Sequence, residues 1–317
     1  MARSFLEWVR AARRKYPLRD VAHVTLPHHA VAMMASYVLR PHRAPLATDL
    51  EARDPEALDL VLEGARFLGR HWFRAEIEGV EHVPREGAAL LVGNHNGGFL
   101  TFDTYLTLAA IAEAQGIDRA VRPLAHDFVF DDPILRRWAQ MFGAIQAGHA
   151  PARAALARGD LVLVYPGGDV ETFRRFRDRG RIDLGGRVGF VKLALRTGVP
   201  IVPVVSVGTH EQLVILSRGD AVAKLLHLHT WARTEVFPLA LSVPWGLTSA
   251  FLPYVPLPAQ TTVAFGPPLH FGRGDAEDEG LVRRCADQTI AAMQTVLDRL
   301  SQGRTPWLGR TGRRLGA

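Results

Sequence analysis

The sequence contains one cysteine, Cys285, among 317 residues, so neither a disulfide framework nor a cysteine-built metal site can organise it. It has no Gly-x-Ser-x-Gly elbow, which excludes the usual hydrolase nucleophile. It also lacks a Gly-x4-Gly-Lys-Ser/Thr loop, and Gly93, Gly97 and Gly98 are wrongly spaced for a dinucleotide fingerprint, so the common nucleotide cradles are missing. No secretory leader is expected, since Arg3, Glu7, Arg10, Arg13, Arg14 and Lys15 interrupt any apolar stretch at the start. The longest uncharged run, Val236 to Gly272, carries Pro238, Pro244, Pro253, Pro256, Pro258, Pro267 and Pro268. That density of proline excludes a conventional membrane-spanning helix. One cysteine and no leader lead to the expectation of a reducing, cytoplasmic setting.

What is present is apolar and basic together. Hydrophobic residues make up 48% and charged residues 22%, with 38 Lys and Arg against 32 Asp and Glu. The net charge is +6, the isoelectric point near 10.0 and the mean hydropathy +0.03. Disorder is excluded by that hydrophobic content. The charge suits a nucleic-acid binder, a membrane-surface protein or an enzyme of anionic substrates. No nucleic-acid module is recognisable and the basic residues scatter, so nucleic acid is the least favoured of the three. His28-His29 and His227-x-His229 have no carboxylate or cysteine set at ligand spacing, and no metal is expected.

Along the chain, Phe5, Trp8, Val9, Ala12 and Tyr16 form an apolar stripe with Arg10, Arg13, Arg14 and Lys15 mostly off it. This predicts a short basic amphipathic helix, suited either to a membrane interface or to packing on the protein's own surface. A helix is predicted over 55–70 and a strand over His71–Ile77. Strands are then predicted at Ala88–Val92, Asp160–Tyr165, Ile201–Val207 and Thr261–Phe265. Helices are predicted at Tyr105–Glu113, Phe190–Thr197 and Asp278–Leu300. The alternation points to an α/β domain with a largely buried mixed sheet flanked by helices. The expected layout is an N-terminal helical, membrane-associating extension (1–70), the α/β domain (71–275), a closing helix (276–302) and a flexible basic tail (303–317).

The segment richest in chemistry runs from Leu90 to Asp103, LLVGNHNGGFLTFD. A buried strand ends at Gly93 and His95 follows in a Gly-rich turn, the place where ligands collect in α/β sheets. Asp103 lies eight residues on. In a straight helix that spacing is ~12 Å and about 80° off-face, but Gly97-Gly98 allows the chain to double back and bring Asp103 to the imidazole. A carboxylate on one ring nitrogen fixes the tautomer and leaves the other nitrogen as a general base. A turn-capping histidine and a helix-start aspartate account for the same residues without chemistry. Two further strand ends follow: LVLVYPGGDVET (Leu161–Thr172), and Val199–Ser206 with Gly208, His210 and Glu211 beyond it.

The order and spacing of these pieces resemble the glycerolipid acyltransferase superfamily, over roughly residues 70–270. That family has an Asn-His…Asp block, a Phe/Tyr-Pro-(Glu/Gly)-Gly block and a Val-Pro-Ile-x-Pro block in this order. The lead-in Ile77–Pro84 and the run Arg187–Ala194 are similar too. The resemblance implies an acyltransferase-like fold and transfer of an acyl group from an acyl-CoA or acyl carrier protein thioester to a lipid hydroxyl. It makes His95 the base and Asp103 its orienting partner, with no covalent acyl-enzyme and no resident cofactor. Asn94, Gly97, Gly98, Tyr165, Pro166, Gly167, Gly168 and Glu171 become candidate substrate-binding positions. Arg174 and Arg175, in the Arg-rich stretch that follows, become candidates for the donor's phosphates. Phosphatidic-acid-forming members usually have four residues between His and Asp; here there are seven. Gly167 stands where their second block has Glu, and Gly143–His149 lacks their phosphate-holding Arg. All three departures are shared with the monoacylglycerol/diacylglycerol acyltransferase-like branch, so a neutral alcohol is the expected acceptor, with lysophosphatidic acid as the alternative. Peripheral attachment to an anionic membrane surface is expected as well, with Val236–Gly272 lining an acyl-chain path or dipping into the interface. Cys285 is expected in the core.

Overall fold

The structure, a computed structural model, describes residues 49–98, 100–231, 234–252 and 254–310. The amphipathic stripe expected at 5–16 lies outside them. Helix α1 (Pro55–His71) starts at Asp54, whose carboxylate accepts from the N–H groups of Glu56 and Ala57, with Pro55 in the first turn. The chain continues through β1 (Glu76–Glu78), β2 (Ala89–Gly93), α2 (Phe102–Gln115), β3 (Val121–Ala125), α3 (Asp127–Asp131), α4 (Pro133–Met141), β4 (Ile145–Gln146), α5 (His149–Ala157), β5 (Leu161–Val164) and α6 (Gly168–Thr172). After these come α7 (Gly189–Thr197), β6 (Ile201–Val207), β7 (Val214–Ser217), α8 (Asp220–Leu225), α9 (Leu228–Trp231), β8 (Leu239–Ser242), β9 (Gly246–Ser249), β10 (Thr262–Phe265) and α10 (Glu279–Ser301). A short hairpin of β11 (Arg304–Thr305) and β12 (Gly309–Arg310) ends the described chain.

Seven strands form the main sheet in the order β1-β10-β6-β2-β5-β3-β4. Strands β6, β2, β5, β3 and β4 run parallel, and β10 joins β6 antiparallel. The sheet is therefore mixed, as expected. Side chains alternate along a strand, and both faces are apolar. Leu90, Val92, Val162 and Val205 face a core shared with α5, α7 and α10. Ala89, Leu91, Leu163 and Val204 face the other core, shared with α1 and α2. Burial on both faces is why these strands read as continuous hydrophobic runs. Because β2, β5 and β6 are parallel neighbours, their carboxyl ends open on one edge of the sheet. That edge is where the three sequence blocks meet.

Three expectations need correction. The helix at 55–71 is no extension: Leu58 and Leu62 are buried in the core shared with α2, so the folded unit begins before residue 71. The strand expected over His71–Ile77 is only Glu76–Glu78, because α1 runs through His71 and Arg74 turns with φ +43°. The tail expected to be loose from 303 is ordered through Arg310: Arg304 donates to Glu211 at 2.8 Å and Trp307 N–H to the same carboxylate at 2.7 Å. Residues 311–317 lie outside the described chain. Cys285 is buried in α10, as expected.

The uncharged run after Val236 forms no long helix. Its first part supplies β8 and β9, which join β7 in a separate three-stranded antiparallel sheet. Among the described residues, no helix is long and apolar enough to cross a membrane. If α1 is integral, Leu62→Ala, at a fully buried site, should cost about 2–5 kcal/mol in urea unfolding. An unchanged midpoint would show α1 to be an appendage.

Candidate active site

His95 sits two residues past β2, half-buried, with its ring stacked on Tyr165 at 4.8 Å between centroids and 16° between planes. Gly93 makes room for this. A Cβ there would fall 2.4 Å from the Tyr165 ring, so only glycine lets the tyrosine lie across the strand end. The Tyr165 hydroxyl accepts from Thr104 Oγ1 at 2.9 Å.

The main chain of His95 is held from both sides. Its N–H donates to Glu171 Oε2 at 2.8 Å and its carbonyl accepts from Arg174 at 2.9 Å. Arg174 also donates to Asn96 Oδ1 at 2.5 Å and to the Glu171 carbonyl at 2.9 Å. Its guanidinium lies 3.9 Å from the Glu171 carboxylate, with both side chains buried. The short α6 after β5 thus grips the loop after β2 through one acid and one base.

Beneath the loop, β2 and β6 are stitched by polar side chains. Asn94 donates to the Ser206 carbonyl at 3.0 Å and accepts from Ser206 N–H at 2.8 Å. Asn96 donates to Ser206 Oγ at 2.6 Å, and Ser206 Oγ donates to Asp103 Oδ2 at 2.7 Å. Asp103, in the first turn of α2, also accepts from Thr104 N–H at 2.9 Å. All four side chains are buried, where an unmet polar group is costly. Gly97 and Gly98 turn the chain at φ +77° and +67°. Their carbonyls accept from the Tyr254 hydroxyl and, at 3.1 Å, from Thr172 Oγ1.

This arrangement changes several expected roles. No hydrogen bond joins Asp103 to His95; the carboxylate is taken by Ser206 and Thr104, and the imidazole Nδ1 is shielded with no partner among the described residues. Asn94 and Glu171, expected at the substrate, are spent inside the protein on Ser206 and on the His95 N–H. Arg174, expected at the donor's phosphates, is buried, with its terminal nitrogens bonded to Asn96, His95 and Glu171 and its Nε without a partner among the described residues. Gly167 packs against Glu171 and Gly168 against Arg187, whose guanidinium holds the Pro166 carbonyl at 3.1 Å. The Tyr165–Gly168 turn therefore supports the site from below, and Tyr165 alone of the four touches His95. Arg175 remains exposed, paired with Asp178 at 2.7 Å. Sequence reading missed Asn96, Ser206 and Tyr254 as participants. The one available signal was the pairing of two asparagines around His95 beside a strand ending in serine.

Electrostatics follow from burial. Burial, then the charge of Arg174, lowers the His95 pKa to about 4, with Asp169 opposing. Burial raises Asp103 to about 6, against its bonds from Ser206, Asn96 and Thr104 N–H and the charge of Arg174. Burial raises Glu171 to about 7, against Arg174 and the His95 N–H. At neutral pH His95 is therefore an unprotonated imidazole, able to accept a proton but holding none in excess. No group of three or more His, Cys, Asp or Glu residues suited to a metal ion occurs among the described residues.

The Acyltransferase family model matches residues 74–207, the segment that carries every one of these groups except Tyr254. An uncharacterized protein of Mycobacterium tuberculosis is 39% identical over 242 residues, covering 75% of this chain and 65% of its own length. One from Mycobacterium leprae is 36% identical over 242 residues. The chain thus spans 65% or less of the length of these relatives. The bovine DGAT1/2-independent enzyme synthesizing storage lipids is 31% identical over 140 residues, 44% of this chain and 40% of that protein. The solved structure of the 1-acyl-sn-glycerophosphate acyltransferase PlsC from Thermotoga maritima has a TM-score of 0.46 at 16% identity, over 89% of this chain and 93% of that one.

Two substitutions test the grip on His95. Arg174→Met strands Glu171, Asn96 and the His95 carbonyl, and should cost about 3–5 kcal/mol, the range for breaking a buried pair. A loss under 1 kcal/mol in urea unfolding would place Arg174 at the surface. Folding raises the Glu171 pKa from 4.5 to about 7, so its contribution is full below pH 4.5 and is lost as pH rises through 7. Wild-type stability relative to Glu171→Gln should therefore fall between pH 4.5 and 7. A difference that stays constant across that window would contradict the assignment.

Proposed function

We propose that this chain, whose residues 74–207 match the Acyltransferase family model, is a member of the glycerolipid acyltransferase superfamily and moves a fatty acyl group from an acyl thioester to the hydroxyl of a lipid. The observation that carries the reading is the neutral, backbone-clamped imidazole of His95 at the carboxyl edge of the parallel strands. In the reaction, the free imidazole nitrogen takes the acceptor's hydroxyl proton as its oxygen attacks the thioester carbonyl. The tetrahedral intermediate collapses with cleavage of the C–S bond. The imidazolium returns the proton to the departing thiolate, which leaves as free thiol, and His95 is neutral again. No bond forms between acyl group and protein.

Asp103 acts at one remove in this reading. Held by Ser206 and Asn96, it fixes the strand ends that carry the loop and supplies negative charge when the imidazole is protonated. Tyr165, stacked on His95, sets the ring's plane and forms a wall of the acceptor site. Arg175, exposed beside the site, is the candidate left for the phosphates of coenzyme A or of an acyl carrier protein's prosthetic arm.

A neutral glycerolipid is the favoured acceptor. Arg174, one of two arginines that could have met an acceptor phosphate, is consumed inside the protein. The similarity to an enzyme synthesizing storage lipids leans the same way. The alternative is a lysophosphatidic acid or lysophospholipid acceptor.

Thioester consumption with a panel of neutral and phosphorylated acceptors tests both parts. His95→Ala, folded by circular dichroism, should lose about 100-fold or more in rate, the range for a general base. Wild-type turnover in that variant would refute the base assignment. Faster turnover with lysophosphatidic acid than with monoacylglycerol would overturn the neutral acceptor.

A further inference from the structure

The sheet of β7, β8 and β9 has one face turned into the protein and one turned to solvent. On the inner face, Ile215 lies opposite Ala240, and both are buried with Phe173, Leu213 and Tyr254. Two of those residues reach the His95 loop: Tyr254 donates to the Gly97 carbonyl, and Phe173 lies beside Gly98. On the outer face, Leu241 lies opposite Leu247 on one side and Val214 on the other. Directly opposed residues point to the same side, and Leu239 shares that side by alternation, with Ser217 and Ser249 opposite it. Leu247 is 61% exposed, Leu241 45% and Leu239 38%. The turn joining β8 to β9 adds Val243 and Trp245, both more than two-fifths exposed. Soluble surfaces carry single exposed leucines without consequence, but a contiguous apolar face marks a contact.

The charges are arranged around this face and not on it. No Asp, Glu, Lys or Arg occurs from Val236 to Gly272. Charges begin at the margin: Arg218 directly follows β7, Lys224 is exposed on α8, and Glu235 is exposed just before Val236. Arg218 also borders a cleft of about 240 Å³ that it shares with three further arginines and with Asp178, Asp183 and Asp220. Arg218 is paired with Asp220 and Arg175 with Asp178, while Arg181 makes no ion pair among the described residues. With a net charge of +6, an apolar plate edged by cations matches an anionic bilayer interface, with acyl chains against the leucines and headgroup phosphates at the rim. The same pattern disfavours a second copy of the chain, whose like-charged margins would be brought together.

We infer that the outer face of β7–β9, with the Val243–Trp245 turn, is the surface by which this protein sits on an anionic lipid membrane. The opposite face of the same sheet holds the glycine turn of the His95 loop, so docking sets the site at the membrane face. The inference adds a surface to the lipid-acceptor reading, and its test needs neither donor nor acceptor.

The test is flotation of the full chain with phosphatidylcholine vesicles, with and without phosphatidylglycerol. Wild type should float with the anionic vesicles and less with the neutral ones. Leu241→Asp/Leu247→Asp should weaken vesicle binding about tenfold or more, since the plate would now carry two charges. Trp245→Ser should weaken it by a smaller factor and needs no change inside the sheet. Leu68→Asp, an exposed leucine on α1, should float like wild type. Wild-type flotation of the double variant, or failure of wild type to bind either vesicle, overturns the inference. Sedimentation showing a dimer that the same double substitution dissociates, with vesicle binding intact, overturns it in favour of self-association. Loss of acyl transfer in His95→Ala would leave flotation untouched, so the two readings fail separately.

Discussion

The site depends on one buried cation. Arg174 is enclosed by protein, and a guanidinium removed from water is stable only if its donors are met. Its terminal nitrogens are met by the carbonyls of His95 and Glu171 and by the side chain of Asn96, with the Glu171 carboxylate close by, while its Nε has no partner among the described residues. His95 and Asn96 lie in the loop after β2, and Glu171 lies in α6 after β5. Meeting the needs of one charge therefore joins the loop after β2 to the turn after β5. The same charge, together with burial, keeps the imidazole unprotonated. Structure and chemistry follow from one interaction.

The second constraint is the closeness of β2 to β6. Asn94 and Asn96 can reach Ser206 only because the parallel strands are adjacent and their carboxyl ends align. Asp103 enters the network through Ser206, not through His95. Its raised pKa, about 6, reflects burial that its hydrogen bonds only partly offset. Tyr254 and Phe173 then connect this interior to the β7–β9 sheet. The loop bearing His95 is consequently held on three sides, by α6, by β6 and by the small sheet.

Much of the architecture was legible in the sequence because it rests on short-range patterns. Leu161–Val164 and Ile201–Val207 read as buried strands from their unbroken apolar runs, and Gly198 stopped α7 where an αL residue was needed. The three blocks were found in order, and the edge where they meet follows from parallel strands. What was illegible is what depends on long-range partners. Arg174 stands in a stretch of five arginines and reads as a candidate for the donor's phosphates; only the fold shows that its neighbour in space is Asn96. The family resemblance pairs Asp103 with His95, whereas Ser206, more than one hundred residues away, takes its carboxylate. The proline-broken stretch after Val236 has no clean alternation for β8 and β9, because leucines face solvent on one side while Thr248 and Ser242 stand with Ala240 on the other. Arg304 looked like part of a loose basic tail until Glu211 supplied its partner.

The clamped His95 is neutral at physiological pH because burial, and after it the charge of Arg174, disfavours its protonation. Nuclear magnetic resonance titration of the imidazole of His95, assigned by comparison with His95→Ala, tests this most directly. The account expects the ring to stay neutral as pH falls through 6.5, taking up its proton only near pH 4. A midpoint at or above 6.5 would contradict it.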